Sequence, residues 1–184
     1  MKKQIIRVIL ALSALTVSTT RAQSIYEPYA FTTPAGLALN SGTNDGTGSL
    51  ARFYQPWGLA VDGVGNIYVA DTLNQTIRKM SPAGVVTTLA GVVGSPGFND
   101  GTANVALFSR PTSVAVNSAG TVVYVADRNN HLIRQLSGGV VTTLAGSAGV
   151  FGSAAGIGSA AQFHYPSAVA APSTSSPTPL TRPP

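Results

Sequence analysis

Cysteine is missing altogether, and charged residues make up only 9% of the 184-residue chain. The first absence excludes disulfides, thiolate metal sites and cysteine nucleophiles at once. The second leaves no concentrated basic patch of the kind a phosphate backbone requires, so nucleic acid is excluded as a partner despite a formal charge of +5. Tryptophan occurs once, as Trp57, and histidine twice, as His131 and His164. Neither a G-x-S-x-G elbow nor an H-E-x-x-H pair is present. Two histidines without a nearby carboxylate pair do not make a zinc constellation, so no metal and no cofactor is expected. The longest early apolar run, Val8–Val17, is half of the about 20 residues a spanning helix needs.

That run has a different use. Lys2, Lys3 and Arg7 precede it, and small residues at Thr20 and Ala22 follow it. A charged start, a short apolar stretch and a small-residue site make a secretory signal, residues 1–22, with cleavage expected after Ala22. A retained N-terminal anchor is the alternative. With the leader go four of the eleven basic residues, leaving seven against six acidic ones. The expected location is secreted or periplasmic, with no membrane attachment after cleavage.

What the chain has in quantity is itself. "YVADTLNQTIRKM" at 68–80 returns as "YVADRNNHLIRQL" at 124–136. "TTPAG" at 32–36 and "TTLAG" at 87–91 and 142–146 lie 55 residues apart each time, as do Phe53, Phe108 and Phe163. Pro56, Pro111 and Pro166 keep the same interval, and Asp45-Gly46 returns as Asp100-Gly101. Such a period marks a repeat architecture. Within one unit, apolar runs at 58–62, 67–72, 76–81 and 85–90 are separated by Gly, Asn and Pro turns, which predicts a four-stranded antiparallel meander. The blurred in-out alternation fits sheets covered on both faces. The fold class is all-β, and stacked units of this kind point to β-propeller blades.

The residues "GNIYVADxxNxxIR" and "VYVADxxNHLIR", followed by "GVVTTLAG" and the "NDGT…AxFxxP" link, resemble NHL repeats of the long-repeat type that bacteria secrete. The resemblance covers about residues 29–169 and implies a six-bladed or similar propeller when the array is complete. Such propellers serve mostly as non-catalytic binding platforms for a protein or glycan. Two rival functions stand beside this: a propeller enzyme of lactonase or amidating-lyase type, and a self-assembling module in which copies form a homo-oligomer that completes the ring.

The expected organisation is a leader (1–22), the last strand of a partial blade with its link (23–56), two full units (57–111 and 112–166), and the start of a third with a Pro/Ser/Thr-rich tail (167–184). Two units and fragments make an incomplete ring, since closure takes at least about four blades. Two readings of the tail stay open. It is a natural tail on a short protein, or "STSSPT" at 173–178 is a frameshifted "VYVVAD".

The recurring motif residues Asp71, Asn74 and Arg78, and their counterparts Asp127, Asn130, His131 and Arg134, are expected to be architectural. Each aspartate would hold an Asx-type turn, with the arginine steadying the next strand. Phe53, Phe108 and Phe163 are expected to plug the joints between blades. The Asp-Gly pairs read as tight turns. His131 replaces either Gln75 or Thr76, depending on the turn alignment. Trp57, where the other units have Thr112 and Ser167, and His131 are the candidate ligand contacts.

Overall fold

The computed structural model describes residues 32–172. The expected leader, the segment up to Phe31 and the tail from Ser173 lie outside the described residues.

Two five-stranded antiparallel sheets follow one another along the chain. The first contains β1 (Gly46–Thr47), β2 (Pro56–Val61), β3 (Ile67–Asp71), β4 (Thr76–Met80) and β5 (Val85–Ala90), in the order β1-β5-β4-β3-β2. The second repeats it with β6 (Gly101–Thr102), β7 (Pro111–Val116), β8 (Val122–Asp127), β9 (Leu132–Ser137) and β10 (Val140–Ala145), in the order β6-β10-β9-β8-β7. The four-stranded meander is the expected one. Its turns follow from side chains that replace the ladder: Asp62 Oδ1 accepts the N–H groups of Val64 and Asn66 at 3.1 and 2.9 Å, closing the β2–β3 connection.

Two expectations need correcting. The Asp-Gly segments are not merely tight turns, because Gly46–Thr47 and Gly101–Thr102 each add a short fifth strand beside β5 and β10. Conversely, residues 32–36 form no strand. A strand needs a neighbour to take its N–H and C=O groups, and among the described residues no ladder runs beside this segment.

The sheets stack face to face around Tyr68, Ile77 and Ala90 of the first and Val114, Val125 and Leu136 of the second, with Phe108 between them. Their innermost strands approach closely. The N–H of Gly63 donates to Ser118 O at 2.8 Å, and a Cβ on Gly58 would lie 2.5 Å from Thr112 O. Glycine is therefore required at a place where the other units carry Ser113 and Ala168.

Equivalent side chains differ in burial according to which face has a neighbour. Val114 is 4% exposed against the first sheet, whereas its counterpart Leu59 is 69% exposed on that sheet's other face. Tyr68 and Ile77 are buried in the joint, while their counterparts Tyr124 and Ile133 are only part-buried. The repeat thus carries two sticky faces per blade, and this pair of blades covers one of each.

Candidate functional site

Every residue type in the repeated motif has a structural task. Asp71 sits at the end of β3, where a 3-10 turn (Thr72–Asn74) begins, and Arg78 projects from β4 beside it. Asp71 Oδ2 accepts Arg78 Nη1 and Asn74 Nδ2, both at 2.8 Å, and its Oδ1 accepts the N–H of Tyr54 at 2.7 Å. Arg78 then reaches back to the link, donating to the carbonyls of Arg52 and Asn44 and to Asp45 Oδ1 at 2.6 Å. Four of its five donors are used, and only Nε lacks a partner.

The second blade repeats this bond for bond. Asp127 accepts Arg134, Asn130 and the N–H of Ser109 at 2.9, 2.8 and 2.7 Å, and Arg134 pairs with Asp100 at 2.6 Å. The expected Asx-type turn is therefore corrected: the carboxylate binds a backbone N–H of the link, 17 or 18 residues earlier, not one in its own turn. The assembly staples link to blade. Burial pushes the Asp127 carboxyl up to about 6, against the pull of Ser109, Asn130 and Arg134, so it is still ionised at neutral pH.

Asp45 and Asp100 were missed by sequence reasoning as parts of this staple. Each also accepts a threonine N–H of the outer strand, from Thr88 and Thr143. Both aspartates recur in step with the arginines, but so does every marker of the repeat, so the spacing alone did not single them out as partners.

The alignment of His131 is settled by backbone geometry. Gln75 and His131 both take the left-handed region at φ 62° and 60°, so His131 corresponds to Gln75 and not to Thr76. Their side chains do the same work. Gln75 Oε1 accepts the N–H of Arg110 at 2.6 Å, and His131 Nδ1 accepts that of Tyr165 at 3.1 Å. Each latches the blade to the start of the next unit. Burial, then the neighbouring His164 and Arg128, lower the His131 pKa below its usual value, as an acceptor nitrogen requires.

The phenylalanines take two roles. Phe108 is fully buried in the joint, with the Arg134 guanidinium 5.3 Å from its ring centre. Phe53 has the same cation–π partner in Arg78 at 5.2 Å, but it borders the open apolar face and is part-buried. Phe163 is part-buried and bridges to Phe151.

Positions at which the units disagree converge elsewhere. Residues 55, 110 and 165, all with φ near 50°, are Gln55, Arg110 and Tyr165. The strand starts two residues later are Trp57, Thr112 and Ser167. The turns after β3 and β8 begin with Thr72 and Arg128. Trp57, Arg110, Arg128, Thr72 and Thr112 line one groove of about 280 Å³ at the rim where the two blades meet. Trp57 is 74% exposed there, so it is no joint filler. The other candidate, His131, lies outside this lining, in a cluster with Phe151, His164 and Tyr165. Arg128 joins the two places, since its guanidinium lies 4.7 Å over the Tyr165 ring.

The sequence profile of the NHL repeat matches residues 53–80 and 108–136, which are the two stapled segments. The chain carries two NHL repeats. Its matches include Protein SUPPRESSOR OF QUENCHING 1, chloroplastic, of Arabidopsis thaliana, 40% identical over 96 residues, and NHL repeat-containing protein 2 of Bos taurus, 38% identical over 103 residues. Each alignment covers 52% of this chain but only 9% and 13% of those proteins, so the NHL chain spans a small part of their length. Among solved structures, a protein of unknown function from Bacteroides thetaiotaomicron is similar at TM-score 0.58 and 28% identity, over 63% of this chain and 30% of that one. An auxiliary nutrient binding protein from the same organism shares the fold at TM-score 0.54 and 22% identity, over 61% and 31%. Among the described residues of the NHL pair, no three His, Cys, Asp or Glu side chains come together to hold a metal.

Proposed function

We propose that this NHL-repeat protein is an exported, non-catalytic binding module that holds a protein or glycan ligand at the rim groove between its blades. One observation carries the reading: repeat positions that agree build the staple, whereas several that differ, Trp57, Thr72, Arg110, Thr112 and Arg128, gather in one groove around an exposed tryptophan. Variation that clusters on a rim, outside the staple, is where a repeat architecture can place its specificity. Among the described residues, the groove lining holds no carboxylate and no histidine, which favours binding over acid–base chemistry. The neighbour that is an auxiliary nutrient binding protein agrees in kind, by analogy of fold alone.

Trp57 is the single tryptophan, so its fluorescence reports on the groove directly. The test is a panel of oligosaccharides and bacterial surface proteins presented to the chain and to Trp57→Thr, the residue type found at 112. A retained ligand that quenches Trp57 and is lost in the variant, with circular dichroism unchanged, is the expected result. Retention of nothing, or retention indifferent to Trp57, sinks the reading.

The open apolar faces favour a second reading, in which further blades complete the ring. Leu59, Val69 and Met80 line an uncovered groove on the first blade. Light scattering giving a β-rich species at a discrete multiple of the chain mass supports completion by copies; a monodisperse monomer argues against it.

A further inference from the structure

Resting on the rim-binding reading, we infer that the groove takes an acidic sugar: a pyranose ring against the Trp57 indole, with its carboxylate or sulfate held by Arg110 and Arg128. The donors that line the groove differ in whether they are already used. The hydroxyls of Thr72 and Thr112 are committed, donating to Pro111 O at 2.7 Å and to Pro166 O at 3.3 Å. They brace the unit starts and have no proton left for a ligand. The two guanidiniums are different. All four ion pairs among the described residues belong to Arg78 and Arg134, so no carboxylate there neutralises Arg110 or Arg128.

Arg110 is exposed, and its own backbone is fixed by Gln75. Arg128 is laid over Tyr165, which limits its swing and prepares its fork for a planar or tetrahedral oxyanion. Two unpaired guanidiniums on one groove repel each other, and a bound anion relieves that repulsion. The indole beside them is exposed and offers an aromatic face, which suits the C–H face of a sugar ring better than a bare ion. Ring and anion together specify an acidic sugar rather than a neutral one.

The experiment titrates the full chain with three oligosaccharides of equal length: a uronate, a sulfated hexose and a neutral hexose, followed by Trp57 fluorescence and calorimetry. The expected result is that one of the two acidic probes binds at least about tenfold more tightly than the neutral one and weakens with added salt. Which acidic probe wins identifies the anion. Arg110→Gln, an exposed change that leaves the fold intact by circular dichroism, should cost about tenfold for the acidic probe and nothing for the neutral one. Arg128→Gln should do likewise. Equal binding of acidic and neutral sugars overturns the anion inference but leaves rim binding standing. Failure of all three while a protein ligand still quenches Trp57 overturns only the sugar. Failure of every probe in the panel overturns both.

Discussion

Replacing Arg134 with methionine keeps most of the volume of a buried side chain and removes its charge. Four hydrogen bonds disappear with it: to Leu107 O at 2.9 Å, Asp127 at 2.9 Å, Asn99 O at 3.0 Å and Asp100 at 2.6 Å. Asp100 is half-exposed and returns to water at little cost. Asp127 has no such escape, since it is fully buried and left with Ser109 and Asn130 as donors. Breaking a buried pair from one side costs about 3–5 kcal/mol, a large share of the roughly 5–15 kcal/mol that holds a domain together.

The stranded carboxylate can shed part of that penalty by taking a proton. Its pKa, already about 6 through burial, rises further without Arg134. A folded pKa raised above the unfolded value stabilises most below the unfolded value, and that stability is lost as pH rises through the folded pKa. The deficit of Arg134→Met should therefore be largest at pH 7–8 and shrink toward pH 4–5. Adding Asp127→Asn should recover part of the loss, because no charge is then stranded. Urea denaturation followed by circular dichroism measures all of this. A deficit below about 1 kcal/mol, flat with pH, or a double variant worse than the sum of its parts, would refute the claim that the staple is a buried, mutually dependent pair.

Gly146→Ala should cost about 3 kcal/mol, because φ is +98° and the new Cβ would meet His131 O at 2.6 Å; Gly149→Ala, at φ +72° in open space, should cost about 1 kcal/mol in the same denaturation assay. Phe108→Ala should lose about 3–5 kcal/mol as a fully buried joint residue, and Phe53→Ala only about 1–2 kcal/mol at its open face. For His131, whose folded pKa is lowered, stability is fully present above the unfolded value near 6.5 and falls as pH drops toward the folded one. His131→Gln borrows the acceptor used by Gln75 and should flatten that acid limb without weakening the fold at pH 8. The groups facing His131 are Arg128, His164, Tyr165 and the uncharged Phe151.

Most of the blade was legible in the sequence because its information is local. Short apolar runs, Asn and Gly turns and an exact return of Asp71 and Arg78 as Asp127 and Arg134 specify strands, their connections and their repetition. The link was harder. Asp45 and Asp100 read as turn formers because an aspartate before glycine is usually that, and nothing in linear order says that an arginine 33 or 34 residues onward will meet it. Only the antiparallel order of the sheet, with the outer strand beside β5, brings the two together.

The sequence by itself determined that the chain is all-β, that it repeats, and that Asp71, Arg78, Asp127 and Arg134 belong to the repeat's framework. Tertiary structure decided three things. Leu59 stays in water while its counterpart Val114 is buried, because burial depends on a neighbouring blade and not on residue type. His131 serves as a latch, because its Nδ1 accepts the N–H of a residue 34 positions away. The variable residues Trp57, Arg110 and Arg128, far apart in the chain, share one rim, because stacking two copies of the same unit sets their equivalent positions side by side.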